Sequence, residues 1–222
     1  MAYQELKPEI ACERLIKILR KKGISNEHVL DAFRKTPRHL FVDGAMYAQA
    51  YDDNALPIGV GQTISQPYVV ALMTQLLMLE PGANQKILEI GTGSGFQAAI
   101  LSRFSLRVYT VERHRELAEQ ARKRLRRLGF DNIVCKNGDG SRGWLLHAPF
   151  DRIIVTAGAP VVSDDLLAQL AEGGRLIIPR GDRCAQQLEC YDKSGSSISK
   201  QSVGDVVFVP LIGEKGWVER GT

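Results

Sequence analysis

Apolar residues recur at helical spacing early in the chain. Ile10, Leu15, Ile16 and Leu19 share one face, and Gly23 stops that segment. Val29, Leu30 and Phe33 mark a second helix that Ser25 or Asn26 can cap. A third run, with Val69, Val70, Met73, Leu76 and Leu77, follows Pro67, so Ser65 or Gln66 stands where its cap belongs and proline fills the first helical position. Before it, "KTPRHLFVDGAMYAQAYDDNALPIGVGQT" has no sustained period and many turn formers. It reads as a long loop, and such loops in compact domains tend to carry function.

From Lys86 the pattern changes. Short apolar runs, "KILEI", "RVYTV", "NIVCK", "DRIIVT" and "RLIIP", alternate with the helical stretches "GFQAAILSRF", "RELAEQARKRLRRLG" and "SDDLLAQLAEGG". Alternation of this kind predicts an α/β fold: a Rossmann-like, doubly wound, mostly parallel sheet with helices on both faces. After "RLIIPRG" no helical stretch follows. "QQLECYD" and "SVGDVVFVPL", joined through "KSGSS", predict an antiparallel C-terminal edge. The expected organisation is one domain over residues 1–222, with N-terminal helices and a loop in 1–80 and a ligand-binding core in 81–222.

Composition narrows the class without changing this picture. At 222 residues, 44% hydrophobic and 24% charged, the chain suits one soluble globular domain. No apolar run approaches the ~18 residues of a membrane span, and the N-terminal stretch mixes acids and bases, unlike a secretion signal. A cytoplasmic location is expected. Cys12, Cys135, Cys184 and Cys190 lack metal-site spacing, so no metal is expected. The formal charge is +4, with much of the basic excess on "ERHRELAEQARKRLRRLGF", whose leucines and alanines recur opposite the arginines. Without interleaved aromatics this is an amphipathic helix rather than a nucleic-acid surface.

"ILEIGTGSGFQAAIL" is strand, glycine loop and helix. Gly91, Gly93 and Gly95 let the backbone turn sharply and approach a ligand, and the following helix start offers free N–H groups. The spacing is GxGxG rather than the GxGxxG of dinucleotide folds, and Glu89 precedes it, where a carboxylate would repel a pyrophosphate. NAD is disfavoured on both counts. Glu112 ends the second strand, the place for an acid that accepts from both ribose hydroxyls. Asp139, after the third, can accept from an exocyclic amine such as that of adenine. A loop, two such acids and no phosphate-binding lysine resemble the S-adenosylmethionine site of class I methyltransferases, and Glu89 suits the ammonium of that cofactor, at least through a water or the glycine-loop backbone.

The resemblance becomes specific further out. "TPRHLFV", "AYDDNALPIGVGQTISQPYVVALM", "ILEIGTGSGFQAAIL", "VYTVER", "DRIIVTAGAP", "EGGRLIIPRG" and "VVFVPLIG" occur in the order found in the protein-L-isoaspartate O-methyltransferase family, and the chain resembles its bacterial members from about Thr36 to Gly213. The resemblance implies repair: methylation, by S-adenosylmethionine, of the free α-carboxylate of isoaspartyl residues in damaged proteins. It also implies a sheet whose last two strands are exchanged relative to other class I enzymes. Carried onto this chain, the cofactor contacts fall on Thr63, Ile64, Ser65, Gly91, Gly93, Gly95, Glu112, Arg113, Asp139 and Gly140, with Ser65 the active-site residue. The implied partners are isoaspartyl proteins and peptides, with neither nucleic acid nor membrane, and a monomer suffices. An RNA or small-molecule methyltransferase and a noncatalytic cofactor sensor are the alternatives.

A carboxylate with pKa near ~3.5 is already ionised at pH 7, so its methylation needs no general base. Ser65 lacks both a base and a GxSxG elbow, and is therefore a hydrogen-bond donor or a helix cap rather than a nucleophile. His39 is a candidate substrate contact or a packing residue. Trp144 and Trp217 are expected to pack, and Asp52 and Asp53 to make turn hydrogen bonds.

Overall fold

The computed structural model describes residues 7–219. α1 (Pro8–Lys21) buries Cys12, Leu15, Ile16 and Leu19, whereas Ile10 lies on the solvated face, one position outside the apolar stripe. In α2 (Glu27–Arg34) the cap is Asn26, whose side chain accepts from the backbone N–H of His28 and Val29.

The expected long loop is more structured than its pattern suggested. It holds two short 3-10 turns, Arg38–Phe41 and Gly44–Gln49, and an antiparallel hairpin of β1 (Leu56–Gly59) and β2 (Gln62–Ile64). Strands this short show no readable alternation, although the Gly59 and Gly61 at their turn both have positive φ.

α3 (Pro67–Leu76) begins at Pro67, but neither Ser65 nor Gln66 caps it with a side chain. The cap comes from the preceding loop. Asp53 Oδ1 accepts from the backbone N–H of Tyr68 at 2.8 Å, while Oδ2 receives Gln66 Nε2 at 3.1 Å and Lys22 Nζ at 2.6 Å. One carboxylate thus fastens α1, the loop and α3 together.

The core follows as β3 (Lys86–Ile90), α4 (Phe96–Leu101), β4 (Arg107–Glu112), α5 (Arg115–Arg127), β5 (Ile133–Asn137) and β6 (Phe150–Val155). It ends with α6 (Asp164–Ala168), β7 (Leu170–Gly181), β8 (Gln186–Ser194) and β9 (Ser197–Val206). The seven-stranded sheet has the order β5-β4-β3-β6-β7-β8-β9, with the first five parallel and β8 antiparallel to both neighbours. The last three strands lie in chain order.

Alternate residues of the central strands feed two cores. Ile87, Ile154 and Ile177 pack with side chains of α1 to α5, and Leu88, Ile153 and Leu176 pack with Leu166 of α6.

Two expectations at the C-terminal end are corrected. The helix expected over "SDDLLAQLAEGG" lasts only through Ala168, since β7 starts at Leu170 and Gly173 takes φ +68. The last strand covers 197–206 rather than the expected "SVGDVVFVPL" of 202–211, so it starts earlier and ends before the apolar "VFVPL". A two-residue turn at Gly195 starts the pairing early, with Ser194 opposite Ser197. The apolar stretch that follows leaves the sheet as a strap.

Replacing Asp53 by alanine is expected to lower unfolding stability by about 1–2 kcal/mol, because it removes the α3 cap together with two further bonds. Ser65→Ala should stay within about 0.5 kcal/mol of the parent. Urea denaturation of the two variants checks the assignment of the cap.

Candidate active site

The chain order of the sheet reverses between β3 and β6, and open α/β sheets bind ligands in the crevice such a reversal leaves at the strand C-termini. Beyond β3 the backbone turns at Gly91, whose φ is +100. A Cβ there would run into the Thr156 hydroxyl, which donates to the Gly91 carbonyl at 2.7 Å. Glycine is thus required both by the dihedral and by the close approach of β6.

Glu112, 6% exposed at the end of β4, holds the loop from the other side. Its Oε2 accepts from the Gly93 N–H and its Oε1 from the His114 N–H, both at 2.9 Å. Arg124 of α5 adds a bond to the Ser94 carbonyl at 2.8 Å, so this arginine of the basic helix is spent on the loop.

A cavity opens over these groups. Its wall includes Gly91 to Ser94, Glu112 and Arg113, Gly140, the hairpin residues Thr63, Ile64 and Ser65, and the strap residues Val209 to Ile212. A second, largely apolar cavity lies alongside, lined by Tyr68, Val69 and Leu72 of α3, Leu188 of β8 and Phe208 of the strap. Thr63, Ser65, Thr156, Val209 and Pro210 belong to both walls. Ser65 therefore stands between two spaces, and its hydroxyl makes no hydrogen bond among the described residues.

Two of the acids stand elsewhere than expected. Glu89 is fully buried and does not line the cavity, because its strand turns it inward. It receives the Thr110 hydroxyl, which in turn is 2.6 Å from the hydroxyl of Thr92 in the glycine loop. Burial pushes its carboxyl up to about 8, against the Thr110 bond, with the neighbouring Glu112 adding to the rise. A carboxyl in that state is neutral at pH 7, so it reaches the cavity only through Thr110 and Thr92.

Asp139 likewise is not on the wall, where its neighbour Gly140 stands. Its oxygens accept from the backbone N–H of Ser141 and of Glu214 in the strap, each at 2.8 Å. Burial would raise this carboxyl, but those bonds outweigh it and hold it below the usual carboxylate range. Asp139 thereby ties the strap to the end of β5. Arg113, on the wall, also bonds Glu219 of the C-terminal segment at 3.0 Å.

His39 packs. Its Nδ1 lies 2.8 Å from the Tyr51 hydroxyl, its ring meets the Tyr47 ring edge-on, and it lines neither cavity. Trp144 packs with Tyr109 and His147, and Trp217 donates to the Gly158 carbonyl at 3.1 Å. The four cysteines are unpaired, and no metal-ligating group occurs among the described residues. Sequence reasoning passed over Thr110, Thr156 and Arg38. Only Arg38 has a signal in the sequence, beside His39 in the "TPRHLFV" motif.

A family model described as protein-L-isoaspartate(D-aspartate) O-methyltransferase matches residues 11–216. The chain belongs to this family. It is 51% identical over 204 residues to the protein-L-isoaspartate O-methyltransferase of Dictyoglomus thermophilum, covering 92% of each chain. With that of Trichlorobacter lovleyi it shares 54% over 197 residues, 88% of this chain and 90% of the relative. A solved protein-L-isoaspartate O-methyltransferase superimposes with a TM-score of 0.83 at 31% identity, covering 92% of this chain and 67% of that one. A Plasmodium falciparum structure described in the same terms, in complex with S-adenosyl-L-homocysteine, gives 0.78 at 25% identity, covering 90% and 97%.

The Glu89 carboxyl has a pH signature in this enzyme. Its ordinary value is 4.5 and its folded value about 8, so between them the folded state holds a proton that the unfolded state releases, and stability falls as pH rises through that window. Glu89→Gln is expected to flatten that fall. Denaturant titrations of parent and variant across the window should diverge toward its upper end, with the variant the more stable.

Proposed function

We propose that the enzyme methylates the free α-carboxylate of L-isoaspartyl residues in damaged proteins and peptides, with S-adenosylmethionine as methyl donor. The observation that carries this reading is the pair of adjoining cavities with Ser65 on their shared wall, in a chain of this family. When bound, S-adenosylmethionine supplies an electrophilic methyl group on a sulfonium. The first cavity suits it. Backbone turned by glycines and a fixed carboxylate line it, and no lysine stands on its wall to hold a phosphate.

In this reading Glu112, oriented by its two backbone bonds, has lone pairs left for ribose hydroxyls. Gly91, Gly93 and Gly95 shape the loop, and Ile64, Arg113 and Gly140 complete the wall. Glu89 acts from behind through Thr110 and Thr92, and Asp139 by holding the strap. The second cavity takes the acceptor segment, whose carboxylate needs no base because it is already ionised.

What the chain supplies is position. Holding two reactants in attack geometry is worth up to ~7–11 kcal/mol of barrier. Ser65 can donate a hydrogen bond to the incoming acceptor. The apolar side chains of Ile64, Val70, Phe96 and Leu211 exclude water where a charged acceptor and a charged donor neutralise one another. One chain carries both cavities, so a monomer suffices. No described helix is long and apolar enough to cross a membrane, and the cytoplasm remains the expected location.

The decisive assay mixes the protein, labelled S-adenosylmethionine and matched peptides containing isoaspartate or aspartate. Base-labile label is expected on the isoaspartyl peptide alone, and equal labelling of both peptides, or of neither, would overturn the reading. Glu112→Ala is expected to weaken binding of S-adenosylhomocysteine by ~1.5–3 kcal/mol, the range for a bond to a charged group, measured by calorimetry. Ser65→Ala should lower turnover at unchanged melting temperature, which steady-state kinetics beside a thermal melt will show.

A further inference from the structure

Arg38 is a buried cation that the site as described leaves unused. It starts the 3-10 turn Arg38–Phe41, is 1% exposed, and heads the fully buried side chains in size. Its Nη2 donates to the Ser65 carbonyl at 2.9 Å and, more weakly, to that of Asn54 at 3.4 Å. Nε and Nη1 are buried and have no hydrogen-bond partner among the described residues. The acid that acts on it, Asp53, makes no salt bridge with it and already serves Lys22, Gln66 and the start of α3.

A buried charge without an ion pair is costly, and apolar replacements of such groups are often neutral or stabilising. Stability therefore gives no reason for an arginine here. Its surroundings do. The carbonyl it grips belongs to Ser65, on the wall shared by both cavities, and the next residue, Gln66, lines the second. Its guanidinium also lies 5.0 Å from the ring of Phe96, which lines the first.

We infer that Arg38 is a positioning residue for methyl transfer: it fixes the Ser65 backbone between the cavities and sets a positive charge behind the wall that the acceptor carboxylate approaches. This rests on the function proposed above. The indirect placement suits the chemistry. Negative charge on the acceptor disappears as the methyl group transfers, so a cation in direct contact would stabilise the ground state more than the transition state and slow the step. Held behind Ser65, the charge draws the carboxylate in, while the guanidinium's main hydrogen bond goes to the protein backbone.

Two variants test this. Arg38→Met keeps bulk and removes the charge, and Arg38→Lys keeps the charge and removes the planar donor. Arg38→Met is expected to melt at or above the parent temperature and to bind S-adenosylhomocysteine as the parent does. Its kcat on an isoaspartyl peptide should fall about tenfold to a hundredfold, the scale of a small misplacement. With S-adenosylhomocysteine present, it should also lose the parent's preference for the isoaspartyl peptide over the same peptide with that carboxylate amidated. Arg38→Lys should keep the preference and still lose kcat.

Parent-like kcat and preference in Arg38→Met would overturn the inference. So would a fall in melting temperature with a matching loss of S-adenosylhomocysteine binding, which marks a scaffold role. Amide hydrogen exchange over residues 62–66 separates this inference from the function on which it rests. Faster exchange in Arg38→Met supports the grip on Ser65 even if the parent methylates neither peptide, and unchanged exchange refutes it.

Discussion

The Glu112 carboxylate accepts two backbone N–H groups, one from the glycine loop and one from the start of the segment leading into α5. The rest of the site depends on that pair of bonds. A loop of Gly91, Gly93 and Gly95, all with positive φ, is conformationally loose in isolation, and ordering it costs more entropy than ordering other residues. Glu112 ties its middle, Thr156 fills the gap beside its first glycine, and Arg124 holds Ser94. Each tie comes from a different element, so the loop has its shape only when β4, β6 and α5 are all in place. Parallel β-α units placed around a switch point provide that convergence.

Much of this was legible in the sequence because the physics is local. Both faces of β3, β4 and β6 are covered, so these strands read as unbroken apolar runs, and the helices between them show their period. The glycine loop and Glu112 follow from position at strand ends. Less legible was whatever a distant partner decides. Ser65 sits where a cap belongs, yet Asp53, fifteen positions before Tyr68, takes that role. The strap carries the apolar composition of a strand, and only the register of β8 with β9 shows that pairing is already used up at Val206. Glu89 and Asp139 stand at strand ends as ligand-binding acids do, but their neighbours turn one inward and engage the other with backbone.

Electrostatically the site separates its charges. Glu89 is held neutral by burial, Asp139 is held ionised by backbone donors, and Glu112 is clamped on the cavity wall. These three acids differ in environment rather than in chemistry, so each does different work: packing with a hydroxyl chain, tethering a segment, and facing a ligand. Arg38, the one fully buried arginine among the described residues, stands on the hairpin side of the same space. Its position behind Ser65 gives the junction a fixed sign of charge without placing that charge in the reaction.

The wall between the two cavities joins Thr63 and Ser65, from the first third of the chain, to Val209 and Pro210, beyond the last strand. Contacts so distant in sequence form late, because the entropy of closing the intervening chain is spent before they give anything back. During synthesis a nascent chain that has emerged only as far as β8 already holds the parallel strands and the glycine loop, but one side of the partition is missing. The order of translation thus withholds the finished active site until the strap has emerged and been fastened by Asp139.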